Sequence, residues 1–155
     1  MKKKLFVTIA LVILSAGICV AAFIFAAPSA AVMRHDQAVT LNGKTLNLEI
    51  ARTPASIVQG LSGRKRMTKD EGMLFIMPNV ENQNFWMKDM KFALDIVYLR
   101  EGKVVDIATL QRPSLAGIPS HQSVTEADMV LELNEGMVKE YKLEIGTQTD
   151  LNSLR

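Results

Sequence analysis

The sequence predicts a mostly β domain with two short helices, an α+β fold closed as a small barrel or packed as a sandwich, behind an N-terminal membrane-spanning or signal helix. Three observations carry this expectation. From residue 38 onward the apolar stretches are short and separated by clusters of Asn, Gly, Pro and Ser, the pattern of many short strands. Only two stretches, after Thr53 and after Asn134, join a capping residue to apolar residues at helical spacing. Residues 1–31 differ in composition from everything that follows. A chain of 155 residues holds one core and an appendage, not two sizeable cores.

In the appendage, Lys2-Lys3-Lys4 precedes an apolar run from Leu5 to Ala27 that is broken only by Thr8, Ser15 and Gly17. About 20 such residues span a bilayer core, whereas the apolar part of a cleavable signal is usually about 7–15 residues. The run therefore reads first as an uncleaved anchor, which makes the membrane a partner through residues 5–27. Pro28-Ser29-Ala30-Ala31 also supplies the small residues of a cleavage site, which would release the remainder after Ala31. In both cases the lysines stay on the cytoplasmic side and the rest is exported, facing the periplasm or the cell exterior. Cys19 is the only cysteine, so an intramolecular disulfide and a multi-cysteine zinc site are excluded. The large Ile18 before it stands where a lipoprotein site needs a small residue. Residues 32–37 read as a linker and 38–153 as the domain. Without the three lysines the net charge falls from +2 to −1, so the domain lacks the basic excess of a nucleic-acid binder.

Within the domain, Asn42-Gly43 between Val39–Leu41 and Leu46–Ile50 predicts a hairpin, because both turn residues tolerate positive φ. Leu46, Leu48 and Ile50 share one face of it. Thr53-Pro54 predicts a helix start with proline at the first position, Ile57, Val58 and Leu61 as its apolar side and Gly60 and Gly63 at its end. Gly72–Met77 is a continuously apolar strand stopped by Pro78, and Asn84–Met87 a short strand. Leu94–Leu99 and Val104–Leu110 form a second hairpin around Glu101-Gly102. Residues 111–123 read as a loop, and Met129–Leu133 as a strand. Asn134 caps a helix over Glu135–Lys142 that ends at Gly146, and the tail adds a last short strand.

Candidate chemistry is sparse. There is no phosphate loop, dinucleotide fingerprint, nucleophile elbow or zinc signature, so no cofactor is implied. His35 and His121 stand 86 positions apart and give no ligand spacing. Met67, Met73, Met77, Met87 and Met90, with His121, offer soft ligands for Cu(I), although their apolar context equally fits a packed core. In the second hairpin a two-residue loop places Leu99 opposite Val104, Val97 opposite Asp106 and Asp95 opposite Ala108. Asp95 and Asp106 then lie diagonally on one face, about 7–8 Å apart, suited to an acid/base pair or a hard cation. The alternative is that Asp106 is solvated and Asp95 bonds a backbone N–H, the Trp86 indole or Lys88. By strand alternation Trp86 and Lys88 share a face, where an indole beside an ammonium could hold a sugar or peptide.

Several of these patterns occur together: Gln59-Gly60-Leu61, Asp70-Glu71-Gly72-Met73-Leu74-Phe75, Phe85-Trp86-Met87-Lys88, Leu94-Asp95-Ile96, Val130-Leu131-Glu132-Leu133 and Ile145-Gly146. In order and spacing they resemble the bacterial and archaeal family known as domain of unknown function 192, over roughly residues 37–151. The resemblance implies a compact β-rich fold, often exported behind a signal or anchor, with no established activity, substrate or cofactor. It singles out Phe85, Trp86, Met87, Lys88 and Asp95 as the family's motif, for ligand binding or for structure.

The expected function is an exported, membrane-tethered binding module for an extracytoplasmic ligand or protein. The alternatives are an enzyme acting on envelope carbohydrate or peptide through Asp95 with Asp106 or Lys88, and a periplasmic Cu(I)-binding protein using methionines. Export is directly testable. A phosphatase fused after Arg155 is expected to be active only when it lies outside the cytoplasm, and activity of a cytoplasm-only reporter at that position would contradict the assigned orientation.

Overall fold

A computed structural model describes residues 36–155. The anchor or signal segment, most of the linker, Cys19 and His35 lie outside the described residues. Among the described residues no helix is long and apolar enough to cross a membrane.

The strands are β1 (Gln37–Leu41), β2 (Lys44–Ala51), β3 (Glu71–Glu81), β4 (Asn84–Trp86), β5 (Leu94–Arg100), β6 (Lys103–Leu110), β7 (Ser120–Gln122) and β8 (Ala127–Asn134). Two short helices, α1 (Pro54–Gln59) and α2 (Met137–Glu140), and a 3-10 helix at Asp150–Leu154 complete the fold. Six strands form one sheet in the order β1-β2-β3-β8-β5-β6, and β4 with β7 forms a separate two-stranded ribbon. β2 and β3 run parallel, joined by the crossover that contains α1, and the other neighbours are antiparallel. The sheet is open, with β1 and β6 as its edges, so the expected closed barrel is not formed.

Both faces of the sheet are covered. On one, Met73, Phe75, Ile96, Tyr98 and Val130 pack under Leu61, Met67, Phe85, Met87 and Met90. On the other, Leu48, Leu74, Val97, Leu99 and Leu131 pack under Met137, Tyr141, Leu143 and Leu151. Phe85 joins the ribbon to the first face by edge contacts with Phe75, at 4.9 Å between centroids, and with Tyr98, at 6.1 Å.

Local chemistry explains most element ends. Asn42 and Gly43 both take positive φ in the first hairpin turn. Thr53 caps α1: its hydroxyl accepts from Ser56 N at 3.1 Å, while the Ser56 hydroxyl accepts from Thr53 N at 3.0 Å. The Glu101-Gly102 turn has φ of 53° and 79°. A Cβ on Gly102 would lie 2.8 Å from the Thr149 carbonyl oxygen, so glycine lets the hairpin tip press against the C-terminal segment.

Six expectations change. Pro78 does not stop β3; it falls within an irregularity of the β3–β8 ladder between Ile76 and Glu81, where a residue without an N–H is tolerated. Asn134 is the last residue of β8 rather than a helix cap, and its side-chain amide donates to the carbonyls of Met67 and Thr68. Gly136 takes the cap position of the much shorter α2. The tail forms a 3-10 helix, not a strand, and Ser120–Gln122 in the expected loop pairs with β4. Val58, assigned to the apolar side of α1, is 80% exposed.

The sixth change bears on function. The β5–β6 register holds at Arg100–Lys103 and Leu99–Val104, then shifts by one residue, so that Tyr98 faces Asp106, Ile96 faces Ala108 and Asp95 faces Thr109. Val105 is the extra residue, and a bulge of this kind turns every following side chain to the other face. Asp95 and Asp106 therefore lie on opposite faces of the sheet, not diagonally on one.

Asp95 is 2% exposed, among the residues of the second face. Its Oδ1 accepts from the Thr109 hydroxyl at 2.7 Å and its Oδ2 from Val138 N at 2.9 Å. Gly136 brings no side chain to cap α2, so a carboxylate from β5 caps it instead. Asp95→Ala would strand the Val138 N–H and is expected to cost about 2–3 kcal/mol in denaturant unfolding. The loss is expected to be non-additive with Thr109→Val and additive with Lys88→Ala. A cost below about 0.5 kcal/mol, the range of surface changes, would contradict the capping role.

Candidate functional site

The segment after β4 is held against the end of α1 by backbone bonds. The Ser62 hydroxyl donates to the Lys88 carbonyl at 3.0 Å and Gly63 N donates to the Asp89 carbonyl at 3.1 Å. Met87 N donates to the Pro119 carbonyl at 2.9 Å, and Asp89 adopts a φ of 59° as the chain turns. Alternation along this segment sends Phe85 and Met87 into the core and leaves Trp86 and Lys88 outside. Trp86 is 57% exposed, with the Lys88 ammonium 5.4 Å from its ring centroid.

Between this segment and the end of α1 lies a small cleft of about 40 Å³, walled by Gly60, Leu61, Phe75, Phe85, Trp86 and Met90 and reaching Glu132. A single water needs about 10–15 Å³ of such space and a drug-sized ligand several hundred. The cleft therefore admits one small group, not a sugar ring.

Glu132 comes from β8, the strand between β3 and β5, in one row with Glu49 of β2, Met73 of β3 and Ile96 of β5. It is 6% exposed, and its buried Oε2 has no hydrogen-bond partner among the described residues. Nearby Arg64 is itself buried and makes two bonds to Glu49, at 2.8 and 2.9 Å. Burial pushes the Glu132 carboxyl up to about 8, against a smaller opposing pull from the Arg64 charge. At neutral pH the carboxyl is mostly protonated.

Asp106 occupies the same face further along the sheet. Its Oδ2 is 2.9 Å from His121 Nε2 and accepts from Val124 N at 2.9 Å, while its Oδ1 accepts from Ile107 N at 2.8 Å. Burial alone would raise its pKa, but the bonds from His121, Val124 and Ile107 outweigh burial and hold it below the usual carboxylate value. The Tyr98 hydroxyl donates to the His121 carbonyl at 2.9 Å, and burial, with the charges of Asp106 and Glu132, raises its pKa.

The structure thus brings Phe85 and Trp86 to the cleft, buries Met87 in the same core cluster as Phe85, leaves Lys88 outside beside Trp86, and separates Asp95 from all four by the thickness of the sheet. Asp95 pairs with neither Lys88 nor the indole. Met67, Met73, Met87 and Met90 are all buried in the first core cluster, with Met77 packed against it. Among the described residues no group of three or more His, Cys, Asp or Glu side chains is placed to hold a metal ion. Sequence reasoning missed Glu132 and the Asp106–His121 pair. The signal for Glu132 was a lone acid inside the apolar run of β8; the pair depends on the bulge.

Fold and site together define a small open-sheet domain with an aromatic-rimmed cleft ending on a buried acid. The sequence pattern of the family described as "Uncharacterized ACR", domain of unknown function 192, matches residues 37–151, and the chain belongs to that family. Among solved structures it is similar to a protein of unknown function from Novosphingobium aromaticivorans DSM 12444, with 25% identity, a TM-score of 0.61, and coverage of 72% of this chain and 79% of that one. It is also similar to a protein from Sinorhizobium meliloti 1021 named as a candidate transcription regulator, with 32% identity, a TM-score of 0.60, and coverage of 72% and 87%. No curated protein matches the chain.

The buried acid has a measurable consequence. Between pH 4.5 and 8 the folded protein keeps the Glu132 proton while the unfolded chain, at its ordinary value of 4.5, releases it. Stability therefore falls as pH rises through that window and levels off above it. Glu132→Gln is expected to remove this slope and to gain on the order of a few kcal/mol over the wild type at pH 8. Parallel pH–stability curves for the two proteins would contradict the assignment.

Proposed function

We propose that this protein is an exported, membrane-tethered binding module whose ligand rests on Trp86 and sends one small group into the cleft toward Glu132. The observation that carries the reading is a half-exposed indole on the rim of a cleft whose end holds a buried carboxyl oxygen without a partner. A large exposed aromatic ring forfeits the stabilisation of burial, and a buried unpartnered oxygen is costly. Departures from local stability of this kind concentrate at functional sites. The lysines and apolar run at the N-terminus support export and tethering.

An enzyme that pairs Asp95 with Asp106 or Lys88 loses its support, because Asp95 faces the other side of the sheet and is engaged by Thr109 and Val138. The regulator name of the Sinorhizobium protein is not carried over, since without Lys2, Lys3 and Lys4 the net charge here is −1.

Trp86 is the only tryptophan, so its fluorescence reports this site alone. Titration with a panel of monosaccharides, amino sugars, disaccharides and dipeptides is expected to give a saturable change with at least one compound. The same compound is expected to bind Glu132→Gln at least tenfold more weakly. A flat response to the whole panel, or binding unaffected by Glu132→Gln, would overturn the assigned site.

A further inference from the structure

We propose that the group entering the cleft is a cationic ammonium head, as at the end of a lysine side chain, a peptide amino terminus or an amino sugar. This deepens the binding-module reading and rests on it. Four observations converge. The end of the cleft offers an acceptor, Glu132 Oε2, that no donor among the described residues satisfies. The walls supply the aromatic rings of Phe75, Phe85 and Trp86, whose faces attract cations. The indole already holds one cation, Lys88, on the exposed side of the site. At about 40 Å³ the space takes an ammonium and the carbon that bears it, not a ring.

Other charged groups near Glu132 do not supply the missing partner. Arg64, from the loop after α1, is committed to Glu49 of β2 through two short bonds. Tyr98, from β5, donates its hydroxyl to the His121 carbonyl. Lys88 reaches the outer indole instead. Seating an ammonium requires Glu132 to be ionised. The balanced step is protonated Glu132 plus R–NH₃⁺ giving the carboxylate–ammonium pair, with one proton released to solvent. The pair forms at a carboxyl that is only 6% exposed, where a charge-assisted bond is strongest.

The probe is methylammonium chloride, added to the full chain in detergent and followed by Trp86 fluorescence and by proton release in weakly buffered solution. Potassium chloride at equal ionic strength and acetamide as a neutral isostere are the controls. A saturable signal is expected for methylammonium and not for the controls. Its affinity is expected to rise about tenfold per pH unit up to pH 7 and to level near 8, because one proton must leave. Close to one proton is expected to be released per ammonium bound at pH 6. Glu132→Gln, nearly isosteric, is expected to abolish both signals. His121→Gln is expected to leave the pH dependence in place, which separates Glu132 from the imidazole that pairs with Asp106.

No saturable signal, an equal response to acetamide, a flat pH profile, or retention of binding in Glu132→Gln would each overturn the inference. If methylammonium fails while a neutral sugar binds and is lost in Glu132→Gln, the ammonium head is wrong and the binding module stands. If methylammonium and every neutral compound fail, both fall together.

Discussion

A sheet covered on both faces has no solvated side, and this constraint governs every polar residue in its inner strands. Across β5 and β8 nearly every side chain is buried. An acid there must find donors, keep its proton, or wait for a ligand. The domain shows all three outcomes. Asp95 finds a hydroxyl and the start of α2; Asp106 finds His121 and two backbone amides; Asp128 accepts from Glu101 N and pairs with Arg155. Glu132 has no such donor at Oε2 and opens onto the cleft instead. The contrast within one sheet marks it as the residue whose environment fold stability alone does not explain.

Much of the fold was legible because it rests on local rules. Asn42-Gly43 and Glu101-Gly102 demand turns with positive φ, Thr53-Pro54 starts a helix, and short apolar runs bounded by turn residues are strands. What was not legible depends on contacts far apart in sequence. Nothing local says that β8 inserts between β3 and β5, or that the sheet stays open. The ladder irregularity that lets Pro78 remain in β3 is likewise a property of the β3–β8 pair.

The site divides in the same way. Alternation was enough to place Trp86 and Lys88 outside and Phe85 and Met87 inside. One extra residue in β6, Val105, was enough to move Asp106 to the opposite face and dissolve an acid pair that the unbulged register made plausible. Asp95 was legible as a carboxylate needing partners, but its partners come from β6 and α2 rather than from the nearby motif. Glu132 passed unnoticed because an acid between leucines reads as an ordinary outward strand position when one face is taken to be wet.

The place of β8 also sets a timetable. Residues 127–134 follow every other strand of the described residues, yet they form the strand on which β3 and β5 both pair. Until they arrive, the β1-β2-β3 and β5-β6 halves have no shared strand and both core layers stay incomplete. Contacts between distant parts of a chain are slow to form, and the unpaired edges exposed meanwhile invite association. The sheet thus becomes continuous only when its last strand is in place.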